Sequence, residues 1–305
     1  MKYISAQPEN HYFSWQLDVM LYSFQKAGIE MRDVHILASV LPNQPKQWFS
    51  HLEGKYPGIS IHRYKDGRPD KSYIPSIKHY LLFRYYEQFP ETRNDSVFFH
   101  DSDIAFTKNP SLDHLCNDDI WYLSDTKSYL GYNYIMSKGR DTLETMLITT
   151  GIDEDTVKKN EDNSGGAQYI VKNVDAKFWY DCYSMGVKLY KMTNVYEKAK
   201  KKADPNYHML QVWTAEMWAT LWMAWMKGIE TRIHPDMDFC WATDPIKRWD
   251  HCSIYHNAGV TSSHTGMFYK GAYIHNDPFA SDLKLDEKKC SYQYYGLLKE
   301  ASLKN

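Results

Sequence analysis

From Lys2 to Phe106 the apolar positions alternate between two rhythms. Lys2 to Gln7 is a short extended run closed by Pro8-Glu9-Asn10. Phe13, Leu17, Met20, Leu21 and Phe24 then recur every three or four residues up to Gly28, the spacing of an amphipathic helix with a glycine stop. Val34 to Val40 reads as a second strand, Pro45 to Lys55 as a short helix, Ile59 to Tyr64 as a third strand and Ile74 to Phe89 as a helix carrying Lys78 and Arg84. Such βαβαβ order predicts an α/β fold with a mostly parallel central sheet flanked by helices. The apolar run at Ser96–Phe106 is then about the fourth strand, and Asp118–Ser124 a fifth.

Further on, Ser128–Tyr134 reads as an aromatic loop that can wall a pocket, and Gly139–Thr149 as a helix. Asp153–Asp162 is a solvated, charge-rich stretch. Gly165 and Gly166 open a strand within Asn163–Asn173; paired glycines allow close approach to a ligand, with a plain bulge as the alternative. Ala176–Met192 and Val195–Ala203 read as helices, and Leu210–Lys227 as a buried one. Ser253–Gly259 and Phe268–His275 read as strands of a tail that alternates strands and loops. With no internal repeat and no long linker, one domain is expected.

The candidate chemistry centres on Asp101 and Asp103. In extended chain, residues two apart point to one side, so both carboxylates are presented at the C-terminal end of their strand, where ligands sit in open α/β sheets. Carboxylates so placed repel unless a cation lies between them, and hard divalent ions take such oxygens. The reading is a metal site that holds a diphosphate; the alternative is a turn, because Asp and Ser are common where strands stop. Glu216 lies in the buried helix, where an isolated charge is costly. It must be paired, for instance with Arg232, or functional.

Composition narrows the partners. The 305 residues are 43% hydrophobic with a formal net charge of -2, so nothing pulls the chain toward nucleic acid or an anionic membrane. The run Lys198-Ala199-Lys200-Lys201-Lys202 completes a helix end and meets solvent. Aromatics reach 15%, and such rings line sugar and base sites as well as cores. The five cysteines form no CxxC pair, Met1–Ala6 is too polar for a signal peptide, and no transmembrane segment is expected. A cytoplasmic protein is the reading.

Taken in order, Tyr12–Gln16, Ser23–Gly28, Phe99–Asp103, Asn163–Gln168, Trp213–Trp218 and Tyr255–Gly259 resemble motifs of GT-A fold nucleotide-sugar glycosyltransferases. The likeness is nearer to the peptidyl-serine galactosyltransferase and hydroxyproline O-arabinosyltransferase group. Phe99–Asp103 looks like its D-x-D motif, Trp213–Met217 like its W-x-x-E-M segment and Tyr255–Gly259 like its late histidine motif. The resemblance implies a single GT-A (Rossmann-like) domain over 1–305, with a nucleotide-binding half at about 1–125 and an acceptor half at about 126–280. It implies a retaining transfer from a nucleoside diphosphate sugar, chiefly a UDP-sugar, to a glycan or protein hydroxyl.

Its motifs assign Mn²⁺ or Mg²⁺ to Asp101, Asp103 and His256. They put Ala6, Gln7, Lys78, Ser102 and Lys270 on the donor, and Asn163, Gly165, Gly166, Gln168 and Trp213 on the sugar or acceptor. Glu216 is the catalytic carboxylate: a base if the transfer inverts, a group that orients substrate if it retains. Left alone, His256 reads as a core histidine and Lys270 as a surface lysine. The competing readings are a non-catalytic carbohydrate-binding protein and a nucleotide-sugar hydrolase or nucleotidyltransferase. No G-x-x-x-x-G-K loop supports the last.

Overall fold

A computed structural model describes residues 1–41 and 47–304. The strands are β1 (Lys2–Pro8), β2 (Val34–Val40), β3 (Ser60–Lys65), β4 (Val97–His100), β5 (Ile104–Phe106), β6 (Trp121–Asp125), β7 (Gly165–Val171), β8 (Thr231–Ile233), β9 (Phe239–Trp241) and β10 (Ile254–His256). The longer helices are α1 (His11–Lys26), α2 (Ile77–Gln88), α3 (Arg140–Thr150), α4 (Ala176–Ala203), α5 (Ala215–Met226) and α6 (Cys290–Leu303). Among the described residues, seven strands belong to the main sheet, which is mostly parallel, and three to a smaller one. The fold is α/β, as the alternation predicts. The start of the helix expected from Pro45, residues 45–46, lies outside the described residues; Ser50–Lys55 is helical.

The chain divides into two compact units. The first comprises Met1–Lys65, Phe99–His114 and Pro235–Asn305, the second Asp66–Phe98 and Leu115–His234, so β4 runs from the second into the first. In the first unit β1 pairs parallel with β2, and β2 with β3, in the registers Tyr3↔Val34 and His35↔Ser60. The small sheet places β10 antiparallel to β5 and parallel to β9. α1 starts where the Asn10 side chain accepts from the Phe13 N–H at 3.1 Å, which satisfies one of the helix's orphan donors. Its buried stripe, with Trp15 and Val19, joins Tyr255, Phe268, Tyr294 and Leu298 in one core.

In the second unit β6 pairs antiparallel with β7 and parallel with β8. β7 is buried at every position, which suits a strand with both faces covered. The 28-residue α4 is the hub on which α2, α3 and α5 pack.

Four segments differ from the sequence reading. The aromatic stretch after Ser128 is two short helices, Lys127–Leu130 and Tyr132–Met136, tied down by Trp218 donating to the Leu130 carbonyl at 2.9 Å. The two helices expected between Ala176 and Ala203 are one, since no glycine or proline interrupts Met192–Val195 and the Thr193 hydroxyl is absorbed by the Leu189 carbonyl at 2.6 Å within the turn. Lys270–Tyr273 is a turn of 3₁₀ helix instead of strand. Phe268 stacks on Tyr273 at 5.2 Å, whereas five extended residues would separate them by about 16 Å. Cys290–Leu303 forms α6, beyond Phe268–His275, the last stretch to which the sequence reading assigned an element.

Candidate functional site

The first unit gathers the acidic pair with groups from far along the chain. β4 stops at His100, so Asp101 and Asp103 lie in the turn into β5, and their convergence owes nothing to strand alternation. Pairing of β10 with β5 sets His256 opposite Ile104, and the Asn257 N–H donates to the Asp103 carbonyl at 2.8 Å. That register carries the His256 imidazole to the turn. Its Nε2 is 3.4 Å from Asp103 Oδ1 and 4.0 Å from Asp101 Oδ2, and the three ligand atoms all lie within 4.8 Å of one another. The ring stacks on Trp241 of β9 at 5.4 Å, which fixes its plane. Asp103 and His256 are buried, and Asp101 is 31% exposed, leaving one open side.

Lys270 ion-pairs with the second Asp103 oxygen, Oδ2. Burial opposes ionisation of Asp103, yet the Lys270 ammonium and His256 together hold its carboxyl well below the ordinary carboxylate range. Burial likewise opposes the charge on Lys270, and Asp103 outweighs it, so its pKa rises. The lysine is thus a partner of the acidic pair and not the surface residue its composition alone suggests. It is held by α1: Trp15 donates to the Tyr273 carbonyl at 3.2 Å and packs edge-on to Phe268.

Two carboxylates and an imidazole within one ion's reach, with a side open, fit a divalent cation. Ala6, Gln7 and Ser102 belong to the same unit and are buried. Gln7 donates to the Leu37 carbonyl at 3.3 Å, and its buried Oε1 meets no hydrogen-bond donor among the described residues.

The second unit holds Glu216 on the first turn of α5. Its Oε1 is 2.8 Å from Lys78 Nζ, and its Oε2 accepts from the Tyr73 hydroxyl. Tyr73 also takes the Glu216 N–H at 3.0 Å and lies 2.5 Å from the Trp213 carbonyl, so its single proton serves either the carboxylate or that carbonyl. Burial and the neighbouring Glu216 push the Tyr73 pKa far up, which keeps the phenol protonated. The expected partner Arg232 pairs with Glu230 instead, at 2.6 Å. Lys78, expected at the donor phosphates, is engaged with Glu216. Arg84, the alternative, pairs with Glu87 at 3.0 Å.

Trp213 is 57% exposed. Gly165 is required by the chain's own packing, since a Cβ there would meet Leu123 Cβ at 2.4 Å and the Ser124 carbonyl at 2.7 Å, whereas a Cβ at Gly166 would meet only side-chain ends, Met217 Cε at 2.7 Å first. A register shift between Leu123 and Ser124 marks the bulge they accommodate. Gln168 is fully buried and accepts from the Ser124 hydroxyl at 2.7 Å. The Asn163 carbonyl accepts from the Thr231 hydroxyl at 3.4 Å. Tyr73 and Trp241 went unread in the sequence: neither sits in a motif, and only the fold brings them to Glu216 and His256.

No family model matches the chain, and no curated protein matches it in sequence. Among solved structures the chain is similar to the apo WbbM bifunctional glycosyltransferase, 12% identical with a TM-score of 0.53 over 99% of this chain and 49% of that one. It thus spans about half the length of that protein. An active-site mutant of LgtC matches at 14% identity and a TM-score of 0.51, over 98% of this chain and 96% of LgtC. LgtC is described as a galactosyltransferase in a structure with donor and acceptor sugar analogs, which matches at 13% identity and a TM-score of 0.48. At such identity the likeness establishes the fold, which is of the GT-A type.

Proposed function

We propose that the protein is a metal-dependent glycosyltransferase that moves a sugar from a nucleoside diphosphate sugar to a hydroxyl acceptor on a glycan or protein. The observation that carries this is the meeting of Asp101, Asp103 and His256, with their ligand atoms within 4.8 Å, in a GT-A fold. The motif order that resembles the peptidyl-serine galactosyltransferase and hydroxyproline O-arabinosyltransferase group supports a UDP-sugar donor and a single catalytic domain. Asp101, Asp103 and His256 would hold Mn²⁺, which when bound supplies a Lewis acid against the charge growing on the leaving diphosphate. Lys270 neutralises Asp103 and adds positive charge beside the phosphates. The Gln7 Oε1, which meets no donor among the described residues, offers an acceptor to an N–H or hydroxyl of the sugar nucleotide.

Glu216 is assigned to the sugar or acceptor. With Lys78 on one oxygen and Tyr73 on the other, it is a poor free base and a well-held orienting group. That supports the retaining course, in which the leaving phosphate takes the acceptor proton. Trp213 offers an indole face to a sugar ring. The five cysteines are all free thiols, which fits a reducing, cytoplasmic setting. Among the described residues no helix is long and apolar enough to cross a membrane.

The test is nucleoside diphosphate release from a panel of UDP- and GDP-sugars with Mn²⁺, beside a chelator control and an Asp103→Ala variant. Release from one donor that disappears in both controls is the expected result. No release together with no metal-dependent UDP binding would sink the reading.

A further inference from the structure

The loop that joins β3 to α2 belongs to the second unit and carries no helix or strand from Asp66 to Tyr73. Such segments are ordinarily the mobile parts of a fold, yet this one is pinned. The buried Arg68 guanidinium rests on Asp66 at 3.0 Å, and its Nη1 lies 3.1 Å from the Tyr73 and Ile74 carbonyls and 3.0 Å from the Ser76 hydroxyl. The Tyr183 hydroxyl of α4 accepts the Asp70 N–H at 2.9 Å. Tyr73 is fully buried, and its ring stacks on Tyr190 of α4 with centroids 4.5 Å apart. Main chain and ring together hold the phenol in one position.

Phenylalanine would supply the same stack, so the hydroxyl needs its own reason, because burying one costs free energy unless it is hydrogen-bonded. Its partners all lie where α5 begins. The phenol oxygen accepts the Glu216 N–H at 3.0 Å, and its single proton faces Glu216 Oε2 and the Trp213 carbonyl. A helix cap would account for the N–H alone; the bond to the carboxylate is an addition to it. Lys78 meets the other oxygen, Oε1, at 2.8 Å. An ionised carboxylate has about four lone-pair sites, so contacts on both oxygens fix its plane and leave sites for substrate hydroxyls. Trp213, whose indole is exposed, is tied by its carbonyl to the same phenol.

We propose that Tyr73 is a positioning residue for transfer: set by the Arg68-bound loop, its hydroxyl holds the Glu216 carboxylate and the Trp213 backbone in one geometry. The proposal rests on Glu216 acting on the sugar or acceptor. Tyr73→Phe keeps the Tyr190 stack and removes the hydroxyl. Nucleoside diphosphate release from the donor that the panel identifies should show kcat down about tenfold or more, the worth of one hydrogen bond to a charged group. Donor KM and metal-dependent UDP binding should stay unchanged. In a Glu216→Ala background the same change should alter the residual kcat by less than about twofold, since the group it positions is gone. An unchanged kcat in Tyr73→Phe overturns the proposal. So does an equal loss in both backgrounds, which would make the hydroxyl a helix cap and nothing more. Release from no donor overturns it as well, and UDP binding by the parent protein then shows whether the transferase reading falls with it.

Discussion

Asp103 carries two duties, and its replacement should show both. Asp103→Asn keeps the shape but removes a ligand oxygen's charge, so Mn²⁺ affinity measured by calorimetry should fall by about 100-fold or more. The same change leaves the largely buried Lys270 ammonium without its carboxylate, which should cost roughly 3 kcal/mol in urea unfolding of the metal-free protein. Glu216→Gln should lower turnover by orders of magnitude and leave UDP affinity intact; unchanged turnover would remove Glu216 from the chemistry. Lys78 touches the same carboxylate, so a Glu216→Gln/Lys78→Met cycle should show coupling of about 1–3 kcal/mol in stability. Asp101 and Asp103 were legible because two acids interrupt an apolar run. The pairing of Glu216 with Lys78 was not, since 138 positions of chain separate them and both Lys78 and Arg232 were chemically suitable partners.

Between elements, the closest packing that bears on Glu216 is α4 against α5. A Cβ on Gly186 of α4 would meet Ala219 Cβ at 3.5 Å and Glu216 Cα at 3.6 Å, ordinary contact distances. Gly186→Ala should therefore fit and stabilise by about 0.5–1 kcal/mol, since it relieves helical glycine's entropy loss. Gly186→Leu should push α5 away, cost about 2–3 kcal/mol in thermal or urea unfolding and depress turnover through Glu216. The elements with a clean period were readable: β1, β2 and α1 follow their apolar spacing closely. α6 was missed although Tyr294, Leu297, Leu298 and Ala301 sit at helical spacing and are buried; its tyrosines and glycine are weak helix formers, and the core decides. Phe268–Tyr273 failed the other way, because an aromatic-rich run resembles a strand until two of its rings are seen to stack.

At the scale of the molecule, acid should act through a buried neutral base. His79 is enclosed, its Nε2 2.7 Å from the Thr220 hydroxyl, and burial, aided by Lys78, pulls its pKa from 6.5 down to about 3. Its contribution is complete above the unfolded value of 6.5 and is lost as pH falls toward 3, because only the unfolded chain takes up the proton there. Stability should drop by about 1.4 kcal/mol per pH unit from this residue across that window, and His79→Gln should flatten the slope in pH-dependent urea melts. Divalent ion should act differently. Because Lys270 already answers the negative charge of Asp103, the metal-free protein should fold, and a chelator should lower the melting temperature only by the stabilisation that ion binding adds, a shift that Asp103→Asn should abolish. On the proposed metal-dependent reading, a chain synthesised where the divalent ion is scarce would fold, persist and stand in reserve, its activity switched on by supply of the ion rather than by synthesis of new protein.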